Sequence, residues 1–321
     1  MAKILISFGV PAEGFHSLQG HELLIPKPGK AFTRAEMLDL LPRADAVLAC
    51  SPLDREMILS AGRLKIIVCY GAGYDAIDVE AATKRRVPVV NIPDCVTAPT
   101  AELAAAHILA LARRLPELDA AVRSLPGQEV FVMGRRMGAS LEGAALGIVG
   151  MGRIGSRVAD FGRAMGMRVL YTSRTPKPER DALGDLRVPL SALMAEADFI
   201  SVHCPHTPET DGLISRAMIA RMKPTAFLVN TARGPVVDEA ALLEALQARR
   251  IAGAGLDVFT AEPDVNPAFF TLDNVLLTPH AGSNTERTRR RMAEAASERI
   301  LDALAGRPPQ NLLNPEALSG V

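Results

Sequence analysis

A chain of 321 residues and 34.2 kDa has length enough for two domains, each with a core of its own. Apolar residues make up 48% and charged residues 22%, the balance of a soluble globular protein. The 36 basic residues offset the 36 acidic ones, so the net charge is zero. That leaves no electrostatic footprint for nucleic acid. No apolar run reads as long enough to span a bilayer, and Gly9 and Pro11 interrupt the apolar start too soon for a signal peptide. The expectation is a protein with no membrane and no nucleic-acid partner. Cys50, Cys69, Cys95 and Cys204 form no CxxC pair, so neither a metal site nor a disulfide framework is expected. Reduced thiols place the chain in the cytoplasm.

Short runs rich in Val, Ile and Leu alternate with longer amphipathic stretches. The first predicted strands are Lys3–Phe8, Ala46–Ala49, Lys65–Cys69 and Val87–Asn91. Then comes PTAELAAAHILALARRLPE, Pro99 to Glu117, apolar on nearly every side and read as a buried helix at a domain boundary. Ser124–Leu141 has weak periodicity and reads as an arm or loop. A second series follows: Ala145–Val149, Arg168–Thr172, Phe199–His203, Ala226–Asn230, Ala252–Leu256 and Val275–Leu277. Continuous apolar strands separated by helical patterns indicate parallel sheets covered on both faces. The fold class is therefore α/β: two doubly wound parallel-sheet domains, Rossmann- and flavodoxin-like, with a cleft between them. Ser283 and Glu286 have capping-box spacing ahead of a last long helix. If that helix returns the chain to the first domain, residues 1–98 and 286–321 form one domain and residues 99–285 the other.

The segment after the fifth predicted strand, Gly150-Met151-Gly152-Arg153-Ile154-Gly155, fits G-x-G-x-x-G and opens a helical pattern running from Ile154 to Met165. Alone the pattern is weak; between a strand and a helix it marks a dinucleotide site. Gly150 permits the turn, Gly152 leaves room for a pyrophosphate, and Gly155 lets helix and strand approach. The N–H groups and positive dipole end of the helix face the phosphates. At the end of the next strand stand Ser173, Arg174 and Thr175, where an NAD domain usually carries Asp or Glu. A guanidinium pairs with a 2′-phosphate that a carboxylate would repel. NADP(H) is the preferred cofactor on this reading, with NAD(H) possible.

Arg233, Glu262 and His280 lie at or just beyond three successive predicted strand ends, where open parallel sheets bind ligands. Singly each reads as a surface charge. Together they offer a cationic clamp and a coupled acid–base pair, which carbonyl reduction needs.

With Tyr70-Gly71-Ala72-Gly73-Tyr74-Asp75, Asn230-Thr231-Ala232-Arg233-Gly234, Asp257-Val258-Phe259 through Glu262-Pro263, and Thr278-Pro279-His280, the chain resembles the D-isomer-specific 2-hydroxyacid dehydrogenase family, its glyoxylate/hydroxypyruvate reductases above all. The motifs occur in family order along nearly the whole chain. The resemblance implies Arg233, Glu262 and His280 as the catalytic set. It also implies Tyr70, Ala72, Gly73 and Arg233 around the substrate, with the Ala72 and Gly73 N–H groups on its carboxylate. Asp257 would meet the nicotinamide carboxamide. Thr100, Arg153, Ile154, Cys204, Pro205, Thr231, Ala232 and Gly282 would line the cofactor with the residues above. It implies NADPH-dependent reduction of a small 2-oxo acid and a homodimer through Pro116–Leu141. The missing tryptophan leaves the lining from that arm open. The chain leaves no room for the regulatory domain of long phosphoglycerate dehydrogenases, and Glu262, in place of Gln, argues against formate. Two other readings remain: an NAD-dependent dehydrogenase of another acid such as D-lactate, and a dinucleotide-sensing corepressor on the same fold.

The remaining histidines read as structural. His107, inside the apolar helix, is expected to be a satisfied core residue, and His203 to end a strand beside the cofactor. His206, His16 and His21 carry no constellation, and Arg287, Arg289, Arg290 and Arg291 read as a solvated helix face.

Overall fold

The structure, a computed structural model, describes residues 1–11 and 13–318. The chain divides into two units, Met1–Val96 with Ser283–Val321, and Thr97–Gly282. The first holds a parallel sheet of β1 (Lys3–Ile6), β2 (Glu22–Leu24), β3 (Ala46–Ala49), β4 (Ile66–Cys69) and β5 (Val89–Val90), in the order β2-β1-β3-β4-β5. β3 and β4 are buried at every position, as their unbroken apolar runs require. The edge strand β2 was not among the predicted ones: it has only three residues, none of them buried.

The second unit is a seven-stranded parallel sheet of β6 (Ala145–Val149), β7 (Arg168–Thr172), β8 (Leu186–Arg187), β9 (Phe199–Val202), β10 (Phe227–Asn230), β11 (Gly253–Leu256) and β12 (Val275–Leu277). The order β12-β11-β10-β9-β6-β7-β8 reverses direction between β6 and β9, a topological switch point. β8, two exposed residues at the edge, is likewise too short for a sequence pattern to reveal. In both units every paired strand runs parallel, as the fold class expected.

Two long helices differ from expectation at their ends. The apolar helix α1 runs Pro93–Ala112, starting six residues earlier than Pro99 and stopping short of Glu117. Pro93 takes its first position, while Pro99 sits inside and forfeits one backbone hydrogen bond. Arg114, at φ +52°, breaks the path before the helix Leu115–Ser124. Over its most apolar 18 residues α1 has a mean hydropathy of 1.4, so by length and composition it could cross a bilayer, contrary to the expectation that no run could. Half of that stretch is buried inside the protein, where Ala104, Ile108 and Ala112 join the core. The last long helix, Glu286–Leu304, is capped by Thr285, whose hydroxyl accepts the Thr288 N–H, and not by Ser283.

Candidate active site

The glycine turn joins β6 to α2 (Arg153–Ala164), and its three glycines stand in three different surroundings. Gly150 has φ +100°, and a Cβ there would lie 2.7 Å from the Cys204 backbone nitrogen. The turn thus packs against the chain leaving β9, at the switch point. A Cβ on Gly155 would stand 2.2 Å from the Gly150 carbonyl oxygen, so helix and turn touch through bare backbone. Gly152, the N-cap, faces open space: nothing lies within 4 Å of the position a Cβ would take. That open cradle at a helix N-terminus fits a pyrophosphate. Arg153 and Ile154 form the first turn of α2 beside it.

After β7, Ser173 Oγ donates to the Thr175 carbonyl (2.6 Å), while Arg174 and Thr175 are exposed. Arg187, on β8, donates to the Ser173 and Arg174 carbonyls at 3.0 and 3.3 Å. It therefore brings a second guanidinium to the loop. Sequence reading missed it because β8 itself was missed. His203, expected as the last residue of its strand, stands one position beyond β9; its Nε2 meets Ser201 Oγ at 2.8 Å, and burial pushes its pKa down to about 3, so it stays neutral. Cys204 and Pro205 follow, and burial pushes the Cys204 thiol up to about 11. After β10, Thr231 is buried with no hydrogen-bond partner for its hydroxyl. A buried hydroxyl without a protein partner at a strand's carboxyl end fits the polar edge of a cofactor.

Arg233 and Glu262 come from neighbouring strand ends. A Cβ on Gly234 would sit 2.0 Å from the Phe259 carbonyl carbon, so only glycine lets the two loops meet. Arg233 Nη1 donates to the Ala232 carbonyl at 2.7 Å, and Ala232 N–H is held by Asn230 Oδ1. Glu262 Oε1 accepts the Phe259 N–H at 2.9 Å and Oε2 accepts His280 Nδ1–H at 2.7 Å. Partial burial pushes the Glu262 pKa up, but those two bonds and the charges of His280 and Arg233 outweigh it and hold the carboxyl below its usual range. With Nδ1 donating to a carboxylate, His280 keeps Nε2 for other work; half of its side chain is exposed.

Asp257 underlies His280. It is buried, and its Oδ1 accepts from the Thr278 hydroxyl (2.6 Å) and the Ala281 N–H (2.7 Å). Its Oδ2 accepts the Gly282 N–H at 2.9 Å, with Thr100 packed alongside. Most of its acceptor capacity is thus spent on its own chain. Tyr70, Ala72 and Gly73 belong to the other unit. There Asn91 Nδ2 donates to the Ala72 carbonyl at 2.7 Å, and Tyr70 donates its hydroxyl to the Arg289 carbonyl at 3.3 Å. Among the described residues the Ala72 and Gly73 N–H groups have no protein acceptor.

The model of the D-isomer specific 2-hydroxyacid dehydrogenase family, NAD binding domain, matches residues 105–282. The chain belongs to this family. As a D-isomer-specific 2-hydroxyacid dehydrogenase it is an oxidoreductase that binds a nicotinamide dinucleotide and acts on a small-molecule acid. It is 42% identical over 324 residues to a glyoxylate reductase of Thermococcus litoralis, covering 99% of this chain and 98% of that one. A Thermus thermophilus crystal structure superposes with a TM-score of 0.89 at 40% identity, covering 97% and 99% of the two chains. An NADPH-dependent glyoxylate/hydroxypyruvate reductase of Sinorhizobium meliloti, solved with NADP and malonate, gives 0.86 at 29% identity over 98% and 97%.

Proposed function

We propose that this dehydrogenase reduces glyoxylate and hydroxypyruvate to their 2-hydroxy acids with NADPH, giving the D isomer where C2 becomes a stereocentre. The observation that carries the reading is the 2.7 Å pair between His280 Nδ1 and Glu262 Oε2 beside Arg233. The cofactor would rest on Gly150, Gly152, Arg153 and Ile154 through its pyrophosphate. Ser173, Arg174 and Thr175 would take its 2′-phosphate, and Thr100, Cys204, Pro205, Thr231, Ala232, Asp257 and Gly282 its remaining edges. When bound, it supplies hydride to C2 of the acid. The Arg233 fork orients the carboxylate and draws charge toward the 2-oxo oxygen. His280 Nε2 delivers the proton as that oxygen becomes an alkoxide, and Glu262 orients the ring through its Nδ1–H. In the other unit, Ala72 and Gly73 offer their N–H groups to the substrate carboxylate, with Tyr70 beside them. Four free thiols support a cytoplasmic protein. Phe131 and Met133, 86% and 100% exposed, support the segment 116–141 as the arm of a homodimer.

The test pairs each 2-oxo acid with each cofactor, for the wild type and Arg174→Ala. Turnover of glyoxylate or hydroxypyruvate with NADPH is expected to exceed that with NADH. Arg174→Ala is expected to lower kcat/KM for NADPH about tenfold, the worth of one charge-assisted hydrogen bond, and leave NADH nearly unchanged. Equal losses with both cofactors would remove Arg174 from phosphate recognition, and no turnover with any acid would overturn the substrate class.

A further inference from the structure

His107 is a polar side chain set among apolar neighbours in α1, nine-tenths or more buried. It is not the fully satisfied core residue that the sequence suggested. Its Nε2 meets Thr278 Oγ1 at 3.1 Å, while Nδ1, buried against the Gly255 backbone, makes no hydrogen bond of good geometry. The direction of the chain follows from counting protons. Thr278 lies 2.6 Å from Asp257 Oδ1, a separation that needs the hydroxyl proton between two oxygens. A hydroxyl has one proton, so Thr278 can only accept from His107. His107 therefore carries its proton on Nε2 and leaves Nδ1 bare. Burial holds its pKa below the ordinary histidine value, which keeps this neutral form. Space has been made for the ring: a Cβ on Gly255, in β11, would stand 2.8 Å from His107 Nδ1.

The far end of that chain is the loop that presents His280. Asp257 receives Thr278 Oγ1–H, Ala281 N–H and Gly282 N–H through its carboxylate, and its carbonyl accepts the His280 N–H at 2.8 Å. His280 itself has φ +51°, a left-handed conformation that residues with a side chain rarely adopt. We propose that His107 is a positioning residue for the reaction: through Thr278 and Asp257 it fixes the strained turn from which His280 meets the substrate. The proposal rests on His280 acting as the acid, as proposed above.

Two measurements test it. In the protein without cofactor, long-range proton–nitrogen NMR correlation reads the His107 tautomer. A proton on Nε2 is expected; a proton on Nδ1 overturns the chain. Next, His107→Gln, whose amide nitrogen reaches the Nε2 position, is compared with His107→Asn, whose amide falls short. At saturating cofactor, kcat is expected to drop about tenfold in His107→Asn, as small misplacements near reacting atoms do, and to recover most of it in His107→Gln. Dissociation constants for NADPH, read by fluorescence, stay within about twofold of wild type in both, since the glycine turn is untouched. Thr278→Val combined with His107→Asn is expected to be no slower than Thr278→Val alone, because both break one chain. Wild-type kcat in His107→Asn, equal losses in Asn and Gln, or additive losses in the double variant overturn the proposal. Wild-type turnover is the control: if it is absent, the catalytic reading fails, and the tautomer decides the hydrogen-bond chain by itself.

Discussion

The two ends of the strands in this protein follow opposite rules. At the amino ends, both sheets are closed by the same device. Asp45, before β3, accepts the Lys3 N–H at 2.8 Å and pairs with Arg63 at 3.1 Å. Asp198, before β9, accepts the Ala145 N–H at 2.8 Å and pairs with Lys223 at 2.7 Å. In each case the aspartate binds the first residue of the neighbouring strand or the one just at its start, and its own N–H returns a bond to the same residue. At the carboxyl ends the units share nothing of this kind. One carries the Tyr70–Gly73 loop, where among the described residues the Ala72 and Gly73 N–H groups have no protein acceptor; the other carries the glycine turn, Arg233, Glu262 and His280. Where the sheets agree they are solving a folding problem, and where they differ lie the residues proposed above to do the chemistry.

The comparison breaks most clearly if the carboxyl-end residues prove structural. His280→Gln keeps a polar side chain but cannot cycle a proton. We expect kcat/KM for the 2-oxo acid to fall about 10²–10⁴-fold, the usual worth of general acid catalysis, with an unchanged melting temperature. A smaller fall accompanied by lost stability would make His280 a packing residue. Arg233→Lys comes next. It preserves the charge and loses the planar fork, so a loss of about 10²-fold in kcat is expected, comparable to removing one preorganised donor. Steady-state kinetics giving unchanged kcat/KM would take Arg233 out of the site.

The contrast also explains what the sequence made legible. Ala145–Val149 was readable to the residue because all five of its positions are buried, and Arg168–Thr172 because its three central positions, Val169 to Tyr171, are. β2 and β8 were not, since an edge strand of two or three exposed residues carries no such pattern. Gly150 and Gly155 announced themselves because backbone contact forbids any side chain. Gly234 was quoted only as part of a motif, although the same kind of contact, against Phe259, brings Arg233 and Glu262 together. Thr278 and His107 were not assigned a role: 171 residues separate them, and a buried histidine looks alike in sequence whether or not it holds anything. The N-cap of the last helix was misplaced by two residues because Ser283 and Thr285 are chemically equivalent caps, and only backbone geometry chooses between them.

The smallest expected effect sharpens the amino-end rule. Burial pushes the carboxyls of Asp45 and Asp198 up, but for each the backbone N–H and the cation outweigh it, so both titrate below the ordinary aspartate value of 3.8. A carboxyl lowered in the folded state stabilises the protein above its unfolded pKa and loses that contribution as pH falls through the folded one. Stability should therefore be flat with respect to these groups above about pH 5 and decline only below it. Asp45→Asn keeps an acceptor for the Lys3 N–H but drops the charge, so a loss of about 1 kcal/mol at neutral pH is expected, with less for Asp198→Asn because its carboxylate is more exposed to solvent screening. Urea unfolding at pH 7 and pH 4 reads both the loss and its pH slope. The kcat per folded molecule should match the wild type in both variants. If either changes kcat with its stability intact, the amino ends are not the inert scaffold that their shared geometry implies.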